Sequence, residues 1–173
     1  FCSIASGSSG NCIYVGSDNT HVLVDIGISG KKMETGLNSL ELTGRDLDGI
    51  LITHEHSDHI KGLGVISRKY GIPIYATAGT VDAMVRTNAL GKIPEGIFHE
   101  IQEDEPFMIN DLKVNPFTIP HDAAQPVGYR LEHEGHSVGI ATDLGKYNDY
   151  IIENLQGLDA LLLEANHDIR MLQ

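Results

Sequence analysis

The sequence has no tryptophan, two cysteines among 173 residues, and no long uninterrupted apolar run. Two cysteines cannot form the dense disulfide framework of a small secreted protein, so we expect Cys2 and Cys12 to be reduced thiols. No segment approaches the ~20 apolar residues that a membrane-spanning helix needs, and no signal-peptide pattern is visible. These absences predict a soluble domain of the cytoplasm.

Positive charge is also scarce, with 12 Lys and Arg against 24 Asp and Glu and a formal net charge of −12. Nucleic-acid-binding surfaces take much of their affinity from Lys and Arg on phosphates, so this composition disfavours an extended surface of that kind. An acidic chain suits the binding of divalent cations, although two such ions would offset only about four of the negative charges.

The chain is long enough for one domain with a real core, since 41% of its residues are hydrophobic. We expect that domain to span residues 1–173. The chain begins at Phe1 and stops at Gln173 in a segment that looks unfinished. We therefore interpret it as part of a longer protein, with the C-terminal part of the domain missing.

Short strands and helices alternate in the first half of the predicted structure, and strands follow one another in the second half. The predicted strands are 11–16, 21–26, 47–53, 72–76, 96–102, 106–109, 112–119, 127–133, 137–142 and 158–164. One predicted helix begins after a cap at Ser29. Three further helices are predicted over 58–70, 80–90 and 147–155. This order is typical of an α/β (α+β) protein in which sheets pack together with helices outside.

Five of the predicted strands deliver an ionisable residue at or just beyond their C-terminal ends. These residues are Asp25, His54, His121, Asp143 and His167. In layered α/β proteins ligands bind at that edge, so the shared position predicts one common site.

The segment His54-Glu55-His56-Ser57-Asp58-His59 carries four metal-ligating side chains in six residues. His54 and His56 point the same way in extended chain and can bind one ion, while Asp58 and His59 can face a neighbouring position. Nitrogen-rich ligands with a carboxylate suit zinc, and manganese or iron are alternatives. The zincin motif is excluded, because Asp58 stands where that motif needs its second histidine.

His121 and Asp143 are weaker signals when each is considered alone. A histidine after a proline is more often packed or exposed than functional, and an aspartate before Leu144-Gly145 can simply start a turn. Beside the motif, however, we predict that His121 completes a three-histidine set on the first of two ions. Asp143 would then bridge both ions.

Together, Asp25, the 54–59 motif, His121 and Asp143 resemble the first four motifs of the metallo-β-lactamase superfamily. More narrowly, segments 6–11, 53–59 and 163–168 resemble the YycJ/WalJ-type hydrolases, which are relatives of RNase Z and RNase J. The resemblance runs along essentially the whole chain. It implies an αββα sandwich, in which two mixed sheets pack face to face with helices outside.

The resemblance also implies roles for individual residues. Asp25 would orient a metal ligand through a hydrogen bond without binding the ion itself. The family supplies a last histidine to the second metal, and since nothing after Asp143 matches it convincingly, we expect it beyond Gln173. His167 is a candidate general acid, with a turn residue at a strand end as an equal alternative.

A two-metal site about 3.5–4 Å across generates a hydroxide for in-line attack, with Asp58 accepting a proton from the water. The predicted reaction class is therefore metal-assisted hydrolysis. The subfamily resemblance implies a phosphodiester in DNA or RNA as the substrate. Hydrolysis of a small ester, lactone or thioester is an alternative, as is a non-catalytic metal-binding domain.

Two features near the motif have open interpretations. Segment 6–11 either cradles a phosphate through its backbone N–H groups or forms a tight turn between strands. Lys61, Arg68 and Lys69 lie on or beside the motif helix, where they either contact phosphates or form a solvated face.

Overall fold

The computed structural model describes residues 1–164, and His167 lies outside this described range. The first sheet contains β1 Cys2–Ala5, β2 Cys12–Gly16, β3 His21–Val24, β4 Gly49–Leu51, β5 Ile74–Thr77 and β6 Phe98–Ile101. The second sheet contains β7 Phe107–Ile109, β8 Leu112–Thr118, β9 Val127–His133, β10 His136–Ala141 and β11 Ala160–Leu163. The helices are α1 Gly30–Ser39, α2 Ser57–Ile60, α3 Leu63–Tyr70, α4 Ala78–Arg86 and α5 Asp149–Leu155.

Strand directions place one end of each sheet at a common rim. In the first sheet β3, β4, β5 and β6 pair in parallel, so their C-terminal ends lie at the same edge. In the second sheet β9 is antiparallel to both β8 and β10, so β8 and β10 run in the same direction. Residues that follow β3, β4, β8 and β10 can therefore converge, as the sequence predicted for strand-end residues.

The two sheets pack face to face through a buried apolar layer. Residues of the first sheet meet residues of the second in this layer, among them Val22, Leu51, Val114, Tyr129 and Ile140. The other face of the first sheet is covered by a second cluster that includes residues of α1 and α3, and α5 packs on the second sheet through Ile151. The predicted αββα sandwich with two mixed sheets is confirmed. In residues 1–164, no helix has the length and apolar character that a bilayer crossing requires.

The predicted helix over 58–70 is divided into α2 and α3 at Gly62. The Gly62 N–H donates to Ile26 O at 2.8 Å, and a Cβ at this position would lie 2.1 Å from Ile28 O. The helical hydrogen-bond pattern is therefore interrupted at Gly62, and loop 25–28, which follows β3, packs closely against the chain there. The apolar period of 58–70 predicted the buried face correctly, but it carried no information about this backbone contact.

Strand β1 was not predicted from the sequence, and α4 begins and ends earlier than the 80–90 predicted. β1 is an edge strand with one bulge in its pairing to β2, and its side chains are half-buried or exposed. Such a strand shows no buried apolar run, so its pattern is weak. Cys2 and Cys12 are both free, as expected.

Candidate metal centre

The structure brings five of the predicted metal ligands together where the strands end. Their ligand atoms form two groups, each within 4.8 Å: His54, His56 and His121 in one, and His54, His59 and Asp143 in the other. His54 belongs to both groups, so the two clusters are adjacent. The first sheet supplies the 54–59 motif, and the second supplies His121 and Asp143 across the rim.

The three-histidine group is arranged around a common point. The ring centroids of His54 lie 4.6 Å from those of both His56 and His121, and all three ring pairs are close to perpendicular. His56 Nδ1 and His121 Nε2 face each other at 3.2 Å. His56 is the N-cap of α2, but its side chain makes no capping hydrogen bond and stays turned to the site.

His54 directs into the site a nitrogen that makes no hydrogen bond to the described residues. Its Nδ1 lies 3.0 Å from Thr53 Oγ1, and Thr53 Oγ1 itself donates to Asp25 Oδ2 at 2.7 Å. The hydroxyl proton is therefore used by Asp25, so Thr53 accepts from His54 Nδ1–H and leaves Nε2 as the lone-pair nitrogen. That Nε2 is buried and has no hydrogen-bond partner among the described residues. A divalent cation fits this nitrogen, because an ion satisfies a buried lone pair that no hydrogen-bond donor of the described residues meets.

Burial also keeps His54 neutral and ready to bind a cation. Desolvation, followed by the neighbouring histidines His59, His121 and His56, lowers the pKa of His54 to about 2. Desolvation lowers the pKa of His121 as well. Metal ligands must be deprotonated, so both shifts favour the form that binds an ion.

His59 lies between two carboxylates. Its Nδ1 is 2.7 Å from Asp25 Oδ2, and its Nε2 is 2.8 Å from Asp143 Oδ2. Burial alone would lower the pKa of His59, but Asp25 and Asp143 outweigh it and raise that pKa to about 10. In the metal-free chain this ring is therefore an imidazolium, and a cation at Nε2 would replace its proton.

Asp25 is completely buried, and its two oxygens are fully used. The Thr53 N–H donates to Oδ1 at 2.8 Å, while the Thr53 hydroxyl and His59 Nδ1 both lie 2.7 Å from Oδ2. Asp25 adopts a left-handed backbone with φ of 61°, which turns the chain directly after β3. This placement is the one predicted for a residue that orients a ligand from behind, and that role remains a proposal.

Asp143 turns the chain after β10 in the same way, with φ of 55°. Its Oδ2 lies 2.8 Å from His59 Nε2 and 3.6 Å from His54 Nε2, so the carboxylate stands between the two histidines. The hydrogen bond from His59 holds the pKa of Asp143 below its usual range. An ionised oxygen in this position suits the predicted bridging role.

Asp58 stands beside the two groups but belongs to neither. Its side chain is 32% exposed, and its Oδ2 lies 3.6 Å from His59 Nε2. Asp58 is therefore half-buried, whereas His54 and His59 are fully buried. That exposure is compatible with a carboxylate that exchanges protons with water.

Three neighbouring residues were given no role from the sequence: Asn11, Thr53 and Glu55. Asn11 Nδ2 lies 3.2 Å from His59 Nε2, and Thr53 links Asp25 to His54. Glu55 Oε1 accepts a hydrogen bond from the Ala124 N–H at 2.8 Å, which ties the motif to the loop that carries His121. Thr53 and Asn11 were visible only as parts of longer motifs, since a contact made across the fold has no local pattern.

Two of the three basic residues on or beside the motif helix, Arg68 and Lys69, are used in local contacts, while Lys61 is exposed. Arg68 Nη1 donates to the carbonyl oxygens of Leu90 and Lys92, and Lys69 pairs with Glu34. These contacts favour the interpretation of a solvated, structural face over a phosphate-binding one.

Comparison with known proteins gives a consistent result. The family model described as a β-lactamase superfamily domain matches residues 20–171. Exodeoxyribonuclease YycJ of Bacillus anthracis is 41% identical over 173 residues, which is 100% of this chain and 65% of that protein. Exodeoxyribonuclease WalJ of Streptococcus pneumoniae (serotype 2, strain D39) is 40% identical over 170 residues, or 98% of this chain and 63% of that protein. The chain thus spans slightly less than two thirds of the length of these relatives.

Solved structures show the same fold at low sequence identity. The metallo-β-lactamase fold protein YhfI from Bacillus subtilis superposes with a TM-score of 0.71 at 19% identity, covering 91% of this chain and 64% of that one. The agreement at this identity concerns the arrangement of the two sheets and their helices.

Proposed function

The chain belongs to the metallo-β-lactamase superfamily, and from this premise we propose that it is a metal-dependent phosphodiesterase that acts on nucleic acid, with DNA as the first substrate to test. The observation that carries the proposal is the pair of adjacent ligand groups that share His54, whose buried Nε2 has no hydrogen-bond partner in residues 1–164. The names of the YycJ and WalJ relatives support the nuclease class.

Two divalent ions fit the proposed ligand set. His54, His56 and His121 would hold one ion, and three imidazoles make zinc the best match. His59, Asp143 and Asp58 would hold the other ion, and Asp143 would be a ligand of both ions. Bound divalent ions supply Lewis-acid stabilisation of phosphoryl charge and lower the pKa of water.

The residues of the chain would orient this chemistry and move its proton. Asp25 fixes the ring of His59 through a 2.7 Å hydrogen bond to Nδ1, so that Nε2 faces the site. Thr53 does the same for His54 through Nδ1. Asp58 is the proposed proton acceptor, because its carboxylate is both next to the site and open to solvent. Hydrolysis at one phosphodiester needs few phosphate contacts, so it is compatible with a net charge of −12.

The test is to measure bound metal per chain by elemental analysis together with hydrolysis of bis-p-nitrophenyl phosphate. We expect measurable turnover with one tightly held ion and a second, more weakly held ion per wild-type chain, because the last histidine for the second metal is expected beyond Gln173. The variant His56→Ala should hold fewer ions and show background turnover. The matched control is His136→Ala, because His136 is 84% exposed and lies at the opposite end of β10 from the site.

End-labelled DNA and RNA of the same sequence would then define the substrate. Faster release of nucleotides from DNA supports the proposal in full. Turnover of a p-nitrophenyl carboxyl ester above that of the phosphodiester would instead support the small-ester alternative. Stable binding of two ions without any turnover would contradict an enzyme and favour a metal-binding domain.

A further inference from the structure

Asn11 is held rigidly against the metal-ligand motif. It is 1% exposed and directly precedes β2. Its backbone N–H donates to Asp58 O at 2.8 Å, and its carbonyl oxygen accepts from the Gly27 N–H at 2.7 Å. A Cβ on Gly27 would lie 1.6 Å from Asp58 O, so the three backbones touch with no room for adjustment.

The amide of Asn11 has a defined orientation. Its Oδ1 accepts a hydrogen bond from the Gly7 N–H at 3.0 Å, which leaves the NH2 group on the side of the site. There Nδ2 lies 3.2 Å from His59 Nε2. Loop 6–11 therefore aims an amide donor into the candidate centre.

His59 Nε2 is engaged with another group and is a poor acceptor for this donor. It lies 2.8 Å from Asp143 Oδ2, closer than the 3.2 Å that separates it from Asn11 Nδ2. In the loaded site the lone pair of the same nitrogen would be held by the ion. A buried N–H without an acceptor is costly, so the amide needs an acceptor that arrives with the ligand.

We propose that Asn11 donates this hydrogen bond to an anionic phosphate oxygen of the substrate at the His59 side of the site. The proposal rests on the proposed function, which makes the arriving anion a phosphodiester. Asn11 is then a substrate-contacting residue rather than a metal ligand. A donor fixed by the backbone suits a negatively charged oxygen, because charge-assisted hydrogen bonds are about twice as strong as neutral ones.

Binding of inorganic phosphate tests this role without turnover. Asn11→Asp keeps the size of the side chain and the acceptor for Gly7 but removes the NH2 group, and Asn11→Leu removes the donor without adding charge. We expect both metal-loaded variants to bind phosphate at least about tenfold more weakly than wild type, corresponding to roughly 1.4 kcal/mol, in isothermal titration calorimetry. Their ion content by elemental analysis should equal that of wild type.

The matched control is Asn115→Asp, since Asn115 Nδ2 contacts Asn154 Oδ1 at 3.4 Å on the α5 side of the second sheet. This variant loses an NH2 group and gains a charge, and it should bind phosphate as wild type does. If thermal melting shows that Asn11→Leu does not fold, Asn11→Ser replaces it as the uncharged variant.

Wild-type phosphate affinity in the uncharged variant at equal ion content would overturn the proposal. So would a loss of ions with unchanged phosphate affinity in the loaded fraction, because Asn11 would then act on the metal site alone. Failure of the proposed function has a different signature. In that case the wild type cleaves no phosphodiester, while its phosphate binding still depends on Asn11.

Discussion

The two ends of the β-sandwich both join the sheets through polar side chains, but they do so in different ways. The far end of the sandwich is the end opposite the metal centre. There Asp111, which follows β7, accepts hydrogen bonds from Ser17 at 2.8 Å, from Asn19 at 3.4 Å, and from Thr20. These donors hold the pKa of Asp111 below its usual range. Its carboxylate is therefore matched by donors from the turn between β2 and β3.

At the site end, the polar groups are more deeply buried and less completely matched. In residues 1–164 the buried side-chain polar atoms without a partner are His54 Nε2, Glu55 Oε2 and Thr142 Oγ1, and all three lie at the rim beside the site. The difference shows that the degree of hydrogen-bond satisfaction, more than the number of polar residues, distinguishes a ligand site from a structural tie.

The largest effect at the site end is expected when the negative charge beside His59 Nδ1 is removed. Asp25→Asn takes away the carboxylate that orients the His59 ring and would stabilise that ring when it binds an ion. We expect the affinity for divalent ions to fall about 10- to 100-fold, as measured by competition with a chromogenic chelator. Thermal melting without metal should show that the variant still folds.

Asp48→Asn is the matched control for this change. Asp48 directly precedes β4 at the far end and accepts from the His21 N–H at 2.8 Å, so it is equally part of the fold. It should leave ion affinity unchanged. Equal losses in both variants would mean that Asp25 acts through general stability and has no specific link to the metal ligand.

The sequence predicted the fold class and the converging strand ends because both depend on local pattern. Apolar runs located β3, β4, β8 and β10, and the spacing within 54–59 indicated a ligand cluster. The partners that tune the cluster, Thr53, Glu55 and Asn11, could not be assigned roles because each acts through a contact between segments distant in sequence. The division of the motif helix at Gly62 was missed for the same reason.

Acid should weaken the metal-free site end before it affects the far end. The folded-state pKa of His54 is about 2, below the 6.5 of the unfolded chain, so its contribution to stability is present above pH 6.5 and lost as pH falls. We expect the free energy of unfolding in urea, with chelator present, to fall by about 1–2 kcal/mol between pH 6.5 and pH 5. His59 has the opposite sign, since its pKa is raised to about 10, and its contribution is lost only above pH 6.5.

His54→Gln should reduce this pH dependence, although the lowered pKa of His121 will keep part of it. Asp111→Asn should leave the dependence intact, because the lowered pKa of Asp111 contributes stability that is lost only below about pH 4. An unchanged slope in His54→Gln would show that His54 is not held neutral by its burial.

Glu55 connects the motif of the first sheet to the loop after β8 of the second sheet. Glu55→Ala removes the acceptor for the Ala124 N–H and loosens the loop that carries His121. We expect ion affinity to fall about tenfold, at the lower end of the range for residues that support metal ligands. Glu55→Gln keeps an oxygen at the same place and should stay close to wild type. A similar loss in Glu55→Gln would point to the charge rather than the loop contact.

The smallest functional effect is expected where the polar groups are already satisfied. Asp111→Asn keeps the oxygen that accepts from Ser17 and Thr20 but replaces the other, which accepts from Asn19, with an NH2 group. It also removes the negative charge that strengthens all three hydrogen bonds. The melting temperature should therefore fall, while ion content and phosphodiester turnover stay within about twofold of wild type, because distant sites act nearly independently. Since Asp111 and the metal centre lie at opposite ends of β8, a loss of activity without a loss of stability would mean that the two ends are coupled along the strand. The distinction between a structural tie and a ligand site would then fail for this fold.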